Sequence, residues 1–128
     1  MEKFKKLPDA ELEVMKAIWA HETPVSTSQV KEYLEQSRPW SISALQTLLN
    51  RLIARGFLSS EKRGKNRYYE VLIPQKDYLA QENKSFLQTL NGNSVTRLVA
   101  SLYDSRSISD EDLEELAAFI EEKTGGGK

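Results

Sequence analysis

Five hydrogen-bonding side chains, Ser43, Gln46, Thr47, Asn50 and Arg51, fall on one arc when residues 41–56 are read at helical spacing. Leu45, Leu48, Leu49, Leu52 and Ile53 fall on the opposite arc and can dock on a core. Amide side chains pair with adenine edges in a duplex groove, guanidinium groups with guanine, and hydroxyls with either. A polar arc of that composition, without the Glu/Lys mixture of a solvated helix, can therefore read base edges. The plainer alternative is a surface helix that happens to lack acids. Ser41 or Ser43 can cap its start, and Gly56 suits the position just past its end.

Other chemistries find little support. Cysteine is absent from the 128 residues, which removes disulfides, thiolate catalysis and cysteine zinc sites and agrees with a cytosolic setting. His21 is the single histidine and reads as a surface residue at a helix end, not a metal ligand. Asp110, Glu111, Asp112, Glu114 and Glu115 read as a solvated helix start. Neither an enzyme nor a cofactor is expected. Hydrophobic residues at 39% and charged ones at 29% suit a globular chain. No apolar run nears the ~18 residues that span a bilayer, and the opening Met-Glu-Lys-Phe-Lys-Lys has no signal-peptide core.

Charge is unevenly placed. Residues 1–73 hold 12 bases and 9 acids, a net +3, whereas residues 74–128 hold 6 bases and 10 acids, a net −4. Between Ser37 and Tyr69 the single acid Glu61 stands against seven bases. Screening confines such attraction to about 10 Å, so a local patch matters more than the overall −1.

The elements that must position these groups follow from periodicity. Residues 1–7 form a short basic arm. Pro8 opens a first helix over about 8–21, with Leu12, Met15, Ile18 and Trp19 as its buried stripe. Thr23-Pro24 breaks it, and Val25 packs inward. Ser26 caps a second helix over about 26–37, with Val30, Tyr33 and Leu34 facing the core. Arg38-Pro39-Trp40 turns the chain into the polar-faced helix 41–55, completing a helix-turn-helix with a longer than minimal turn. Beyond Gly56 the period falls to two. Strands over 57–63 and 67–73 are joined at Gly64-Lys65-Asn66, with Tyr69, Val71 and Ile73 on one face. Lys62, Arg63, Lys65 and Arg67 crowd the hairpin tip. Charge there can simply protect a sheet edge, or it can straddle a phosphate backbone as the wing of a winged helix.

Pro74 starts a second part. Leu79, Phe86, Leu87 and Leu90 recur at helical spacing, and Asn91-Gly92-Asn93 breaks the run. Val95, Leu98, Val99 and Leu102 form a stripe over about 94–104. Ser109 with Asp112 resembles a capping box before Leu113, Leu116, Ala117 and Ile120, and a frayed tail follows Thr124. Three helices in some 50 residues bury little on their own. Their stripes, with Phe86, Leu90, Val95, Leu98, Val99, Leu102, Leu113, Leu116 and Ile120 as candidates, need either a second copy of the chain or the chain's own N-terminal part.

Several of these segments resemble the penicillinase-repressor family, which includes the beta-lactamase, methicillin-resistance and copper-transport repressors. Ala10-Glu11-Leu12-Glu13-Val14-Met15 with Ile18-Trp19 is similar to its opening signature. Thr47-Leu48-Leu49-Asn50-Arg51-Leu52 is similar to its recognition helix, and Gly56-Phe57-Leu58 to the turn into its wing. Phe86-Leu87 and Asp112-Leu113-Glu114-Glu115-Leu116 resemble its dimerisation part. The resemblance implies a cytoplasmic winged-helix repressor that binds operator DNA as a homodimer. It also implies a regulatory protease or sensor protein as a partner, acting near Ser101-Leu102, although the Asn-Phe pair associated with cleavage is absent. Copper release through a cysteine-rich tail is excluded. Basic residues often stand in the family where Ser43 and Gln46 stand here.

The expected fold is mainly α with a small β-hairpin wing: a winged helix-turn-helix DNA-binding domain over 1–73 and a helical dimerisation domain over 74–128. The expected function is an inverted-repeat operator repressor acting through the helix 41–55. Ser43, Gln46, Thr47, Asn50, Arg51, Arg55, Arg63, Lys65 and Arg67 are the candidate DNA contacts, with Ser43 and Arg55 assigned to phosphate and Lys5 and Lys6 as outlying bases. The alternative is a winged-helix module that binds proteins instead.

Overall fold

A computed structural model describes residues 4–125. The first three residues of the expected basic arm and the last three of the expected tail lie outside the described residues. The elements are α1 (Asp9–Trp19), β1 (Val25–Ser26), α2 (Thr27–Leu34), α3 (Ile42–Ala54), β2 (Leu58–Arg63), β3 (Asn66–Val71), α4 (Gln75–Asn91), α5 (Val95–Asp104) and α6 (Asp110–Thr124). The architecture is mainly helical with a winged-helix first unit, as expected. The chain divides into two compact units, Met1–Glu82 and Asn83–Lys128. Among the described residues no helix is long and apolar enough to cross a membrane.

In the first unit the core forms where α1, α2, α3 and the sheet meet. Val14, Met15, Ala17 and Ile18 of α1 pack with Val30 and Leu34 of α2 and with Leu45, Leu49 and Leu52 of α3. Leu12 and Trp19 are only partly covered, so the stripe of α1 lies slightly around the helix from its expected place. α2 is shorter than expected and ends at Leu34. Its Ser26 cap closes a full capping box with Gln29. Tyr33, expected in the core, is exposed, because no element among the described residues covers its side of α2. It meets the His21 ring edge-on instead, and His21 Nδ1 lies 2.7 Å from the Ala17 carbonyl oxygen.

The sheet has three strands where two were expected. β3 is central, paired antiparallel with β2 along the hairpin and with β1 through Val25–Tyr69 and Ser26–Tyr68. A third strand relieves the marginal stability of an isolated hairpin. The hairpin closes between Arg63 and Asn66 on Gly64-Lys65, with Gly64 at φ +63° in the first central position.

Trp19 donates its indole N–H to the Ile73 carbonyl at 3.0 Å. Tyr78, one turn into α4, is buried against Phe4, Trp19 and Phe57 and accepts the Leu7 N–H at 2.8 Å. The first turns of α4 therefore belong to the first unit.

The second unit is built differently. Among the described residues it has no buried hydrophobic side chain. Ser94 caps α5, and Ser109 with Asp112 forms the expected capping box of α6. The Tyr103 hydroxyl donates to Asp110 at 2.7 Å, and this bond and the Asp110 charge raise the Tyr103 pKa above the usual tyrosine value. An apolar groove of about 520 Å³ lies along Val95, Val99, Leu113, Leu116, Phe119 and Ile120.

Leu49 has no exposed surface and sits at the centre of the α3 contact. Leu49→Ala should cost about 2–5 kcal/mol, the range for truncating a core leucine. Chemical denaturation followed by circular dichroism checks this, and a loss of only a few tenths would show that the core does not rest on α3.

Candidate nucleic-acid interface

The sequence folds α3 so that its leucines face inward and its amides face out. Ser41 caps the helix by accepting the Ala44 N–H at 3.1 Å. At the other end Gly56, at φ +85°, lets the Phe57 N–H return to the Leu52 carbonyl and its own N–H to Ile53, at 3.0 Å each. This Schellman closure stops the helix and hands the chain to the buried Phe57. The turn before α3 is held by Trp40, buried to 7% exposure, with the Arg38 guanidinium 4.2 Å from its ring centroid.

Ser43, Thr47, Asn50 and Arg51 are exposed along one side of α3, and Gln46 beside them is half-buried. No acid stands on the helix. The Thr47 hydroxyl donates to the Ser43 carbonyl at 3.0 Å, so what it turns outward is its methyl group and acceptor lone pairs. Gln46 Nε2 donates to Asn50 Oδ1 at 3.4 Å and to the Tyr69 hydroxyl at 3.3 Å. Arg51 has no hydrogen-bond or ionic partner among the described residues.

The wing sorts its charges by face. Strand alternation places Ser60, Lys62, Arg67 and Tyr69 on one side, with Lys62 directly opposite Arg67. Arg67 donates to the Ser60 hydroxyl at 2.9 Å. Arg63 takes the other side, where it pairs with Glu61 at 3.1 Å and lies 5.2 Å from the Tyr68 ring. Lys62, Lys65, Asn66 and Arg67 then share an open cleft of about 360 Å³ with Thr27, Ser28, Ile42 and Gln46. Among the described residues no carboxylate lines it.

The helix face and the wing thus come together around one cleft. Gln46, Lys65 and Arg67 line it, and Ser43, Thr47, Asn50 and Arg51 continue its helical wall. Arg63 sits on the opposite side of the wing. Sequence reasoning missed four contributors, Lys62, Ile42, Thr27 and Ser28. Lys62 belongs to the basic tip but was not singled out. Ile42 is 54% exposed at the start of α3, an odd place for isoleucine unless it meets an apolar group such as a thymine methyl. Thr27 and Ser28 reach the cleft from α2, which no local pattern discloses.

Two solved structures resemble this arrangement. The solution structure of the DNA-binding domain of the repressor BlaI matches with a TM-score of 0.52 and 41% identity, over 61% of this chain and 94% of that one. The solution structure of the Bacillus licheniformis BlaI monomeric form in complex with the blaP half-operator matches with a TM-score of 0.50 and the same identity and coverage. The first unit is accordingly a winged-helix domain of the DNA-binding-repressor type. The penicillinase repressor profile matches residues 7–122, and the chain belongs to the penicillinase repressor family, a family of transcriptional repressors and not of enzymes. It is 34% identical over 122 residues to the penicillinase repressor of Bacillus licheniformis, covering 95% of this chain and 94% of that protein. It is 26% identical over 121 residues to the methicillin resistance regulatory protein MecI of Staphylococcus aureus (strain N315), covering 94% and 98%.

Arg55 is placed unlike the other bases. Its Nε meets Glu11 Oε1 at 2.6 Å, joining the end of α3 to α1. Glu11 is almost wholly buried, with 3% of its side chain exposed, while Arg55 keeps 30%. The pair is therefore asymmetric. Removing Arg55 strands a buried carboxylate, whereas removing the Glu11 charge leaves a guanidinium that can turn to water. Arg55→Ala should cost roughly 2–3 kcal/mol and Glu11→Gln about 1 kcal/mol. Paired denaturation curves test the order, and equal losses would contradict the asymmetry.

Proposed function

We propose that this chain is a cytoplasmic repressor that holds an inverted-repeat operator as a homodimer, laying α3 in the major groove and the wing along the adjacent backbone. The observation that carries the proposal is the acid-free cleft between the two. Like charges directly opposite each other in a sheet are unfavourable, and Lys62 faces Arg67 across the hairpin. A phosphate in that cleft turns their repulsion into attraction.

Roles then divide by chemistry. Gln46, Thr47 and Asn50 approach base edges, with Ile42 beside them for a thymine methyl. Arg51 is unpaired and long enough for guanine or a neighbouring phosphate. Ser43 meets phosphate, and Lys62, Lys65 and Arg67 supply sequence-neutral attraction from the wing. Arg55 contributes by fixing α3 against α1. Arg63, on the far side of the wing, and Lys5 and Lys6 add to the surrounding positive field.

The second unit supplies the dimer. Phe86, Leu90, Val95, Phe119 and Ile120 are each about half exposed or more. With Leu98, Val99, Leu102, Leu113 and Leu116 they offer an apolar surface that a matching helix set can cover. Two copies of α3 would then sit about 34 Å apart, or a multiple of that. Repression follows from occupying the promoter. Where a regulatory protease or sensor protein ends it, the segment Ser101–Leu102 lies inside α5 and must unwind before its peptide bond can enter an active site.

Selection of bound duplexes from a random pool tests the reading directly. Winners should be inverted repeats spaced by one or more helical turns. Lys65→Ala should weaken all duplexes alike and reduce the slope of log affinity against log salt by about 0.9 per subunit contact. An unchanged slope would remove Lys65 from the phosphate path, and salt-insensitive binding throughout would favour a protein-binding module. Val99→Asp, within the apolar groove, should shift sedimentation from dimer to monomer and weaken operator binding. A dimer unaffected by that charge would place the interface elsewhere.

A further inference from the structure

Tyr69 ties the sheet to the outward face of α3 through its hydroxyl. It stands in the central strand, paired with Val25 on one side and Ser60 on the other, and has no exposed surface. Its ring belongs to the core. Its hydroxyl reaches past the core and accepts hydrogen bonds from Thr27 Oγ1 and Gln46 Nε2, each at 3.3 Å.

Gln46 Nε2 also donates to Asn50 Oδ1 at 3.4 Å. An amide nitrogen carries two hydrogens, and both are now used within the protein. What Gln46 offers outward is its carbonyl oxygen. Asn50, with its own oxygen engaged, offers its NH2 group. Base edges distinguish the two. An acceptor pairs with the exocyclic amino group of cytosine or adenine, and a donor pairs with guanine O6 and N7, adenine N7 or thymine O4.

We propose that Tyr69 is a specificity-determining positioning residue, whose buried hydroxyl holds Gln46 so that α3 presents an acceptor at Gln46 and donors at Asn50. The inference rests on the reading that α3 faces a duplex. A glutamine free on a helix surface would lose side-chain entropy on meeting a base edge. Here part of that ordering is built in before DNA arrives. The hydroxyl itself touches no base, so its effect on recognition passes through Gln46.

That indirectness defines the test. Operator and scrambled duplexes are titrated with the full-length protein and with Tyr69→Phe, Gln46→Ala and the double variant. Tyr69→Phe is expected to lower the operator-to-scrambled affinity ratio by roughly 3–10-fold, the worth of one hydrogen bond. It should also flatten base preference at one position of each half-site. In the Gln46→Ala background the same substitution should change the ratio less than about 2-fold, since the coupling has already been removed. An equal loss in both backgrounds, with wild-type selectivity intact, overturns this inference alone. A wild-type protein that selects no sequence overturns it together with the reading beneath it. Nitrogen-15 relaxation of the Gln46 side-chain amide gives a measurement without DNA or substitution. A restrained amide in the free wild-type protein supports the proposal, and one as mobile as a surface glutamine overturns it.

Discussion

Which way α3 faces is decided by Leu45, Leu49 and Leu52. All three are fully buried, and they sit within one arc of a helix that advances 100° per residue. Turning the helix by a single residue would carry Gln46 toward the core and bring a leucine into water, so the polar face is placed by what the core demands. The Schellman closure at Gly56 and the Arg55–Glu11 contact hold the far end of the same helix. Position along the axis is thereby fixed as well as rotation. A helix that inserts side chains into a groove needs both, because a misplacement of an ångström breaks a bidentate contact.

Electrostatics adds a second constraint on the same surface. Several bases of the first unit are neutralised locally: Arg38 by Glu13, Arg55 by Glu11 and Arg63 by Glu61. Arg51, Lys62, Lys65 and Arg67 have no acidic partner among the described residues, and they flank the cleft and the α3 face. The pairing pattern leaves uncompensated charge where the hydrogen-bonding groups already point. A slightly acidic chain can in this way carry a local positive site, since the attraction a phosphate feels is set by charges within about 10 Å.

Local chemistry was legible in the sequence, and long-range chemistry was not. The leucine period of α3, the Ser26 cap and the Ser109–Asp112 box each depend on residues within four positions, so their patterns reveal them. The hairpin with its basic tip was equally visible. β1 was not, because two residues become a strand only by pairing with Tyr68 and Tyr69, more than forty positions away. Tyr33 lies on the expected stripe of α2 yet is exposed, because periodicity marks a face but does not supply a neighbour to cover it. Glu11 reads as a dipole-favouring acid at a helix start; its union with Arg55, 44 positions on, exists only in three dimensions. The Tyr69–Gln46 contact is of the same kind.

The second unit inverts the logic of the first. There the capping residues are well formed but the apolar side chains are left outside, with Leu90 64% exposed and Val95 59% exposed. Helices this short gain most of their stability from packing and little from propensity, so their order depends on a cover. On the proposed reading the cover is a second subunit, and the same event that buries these stripes doubles the reading surface. The four uncompensated cations around the cleft and α3 face of each subunit give modest affinity that falls with salt. Two such surfaces held together raise it through effective concentration, without any new contact to DNA. On that reading, control of operator occupancy passes to whatever alters the cover of α5 and α6.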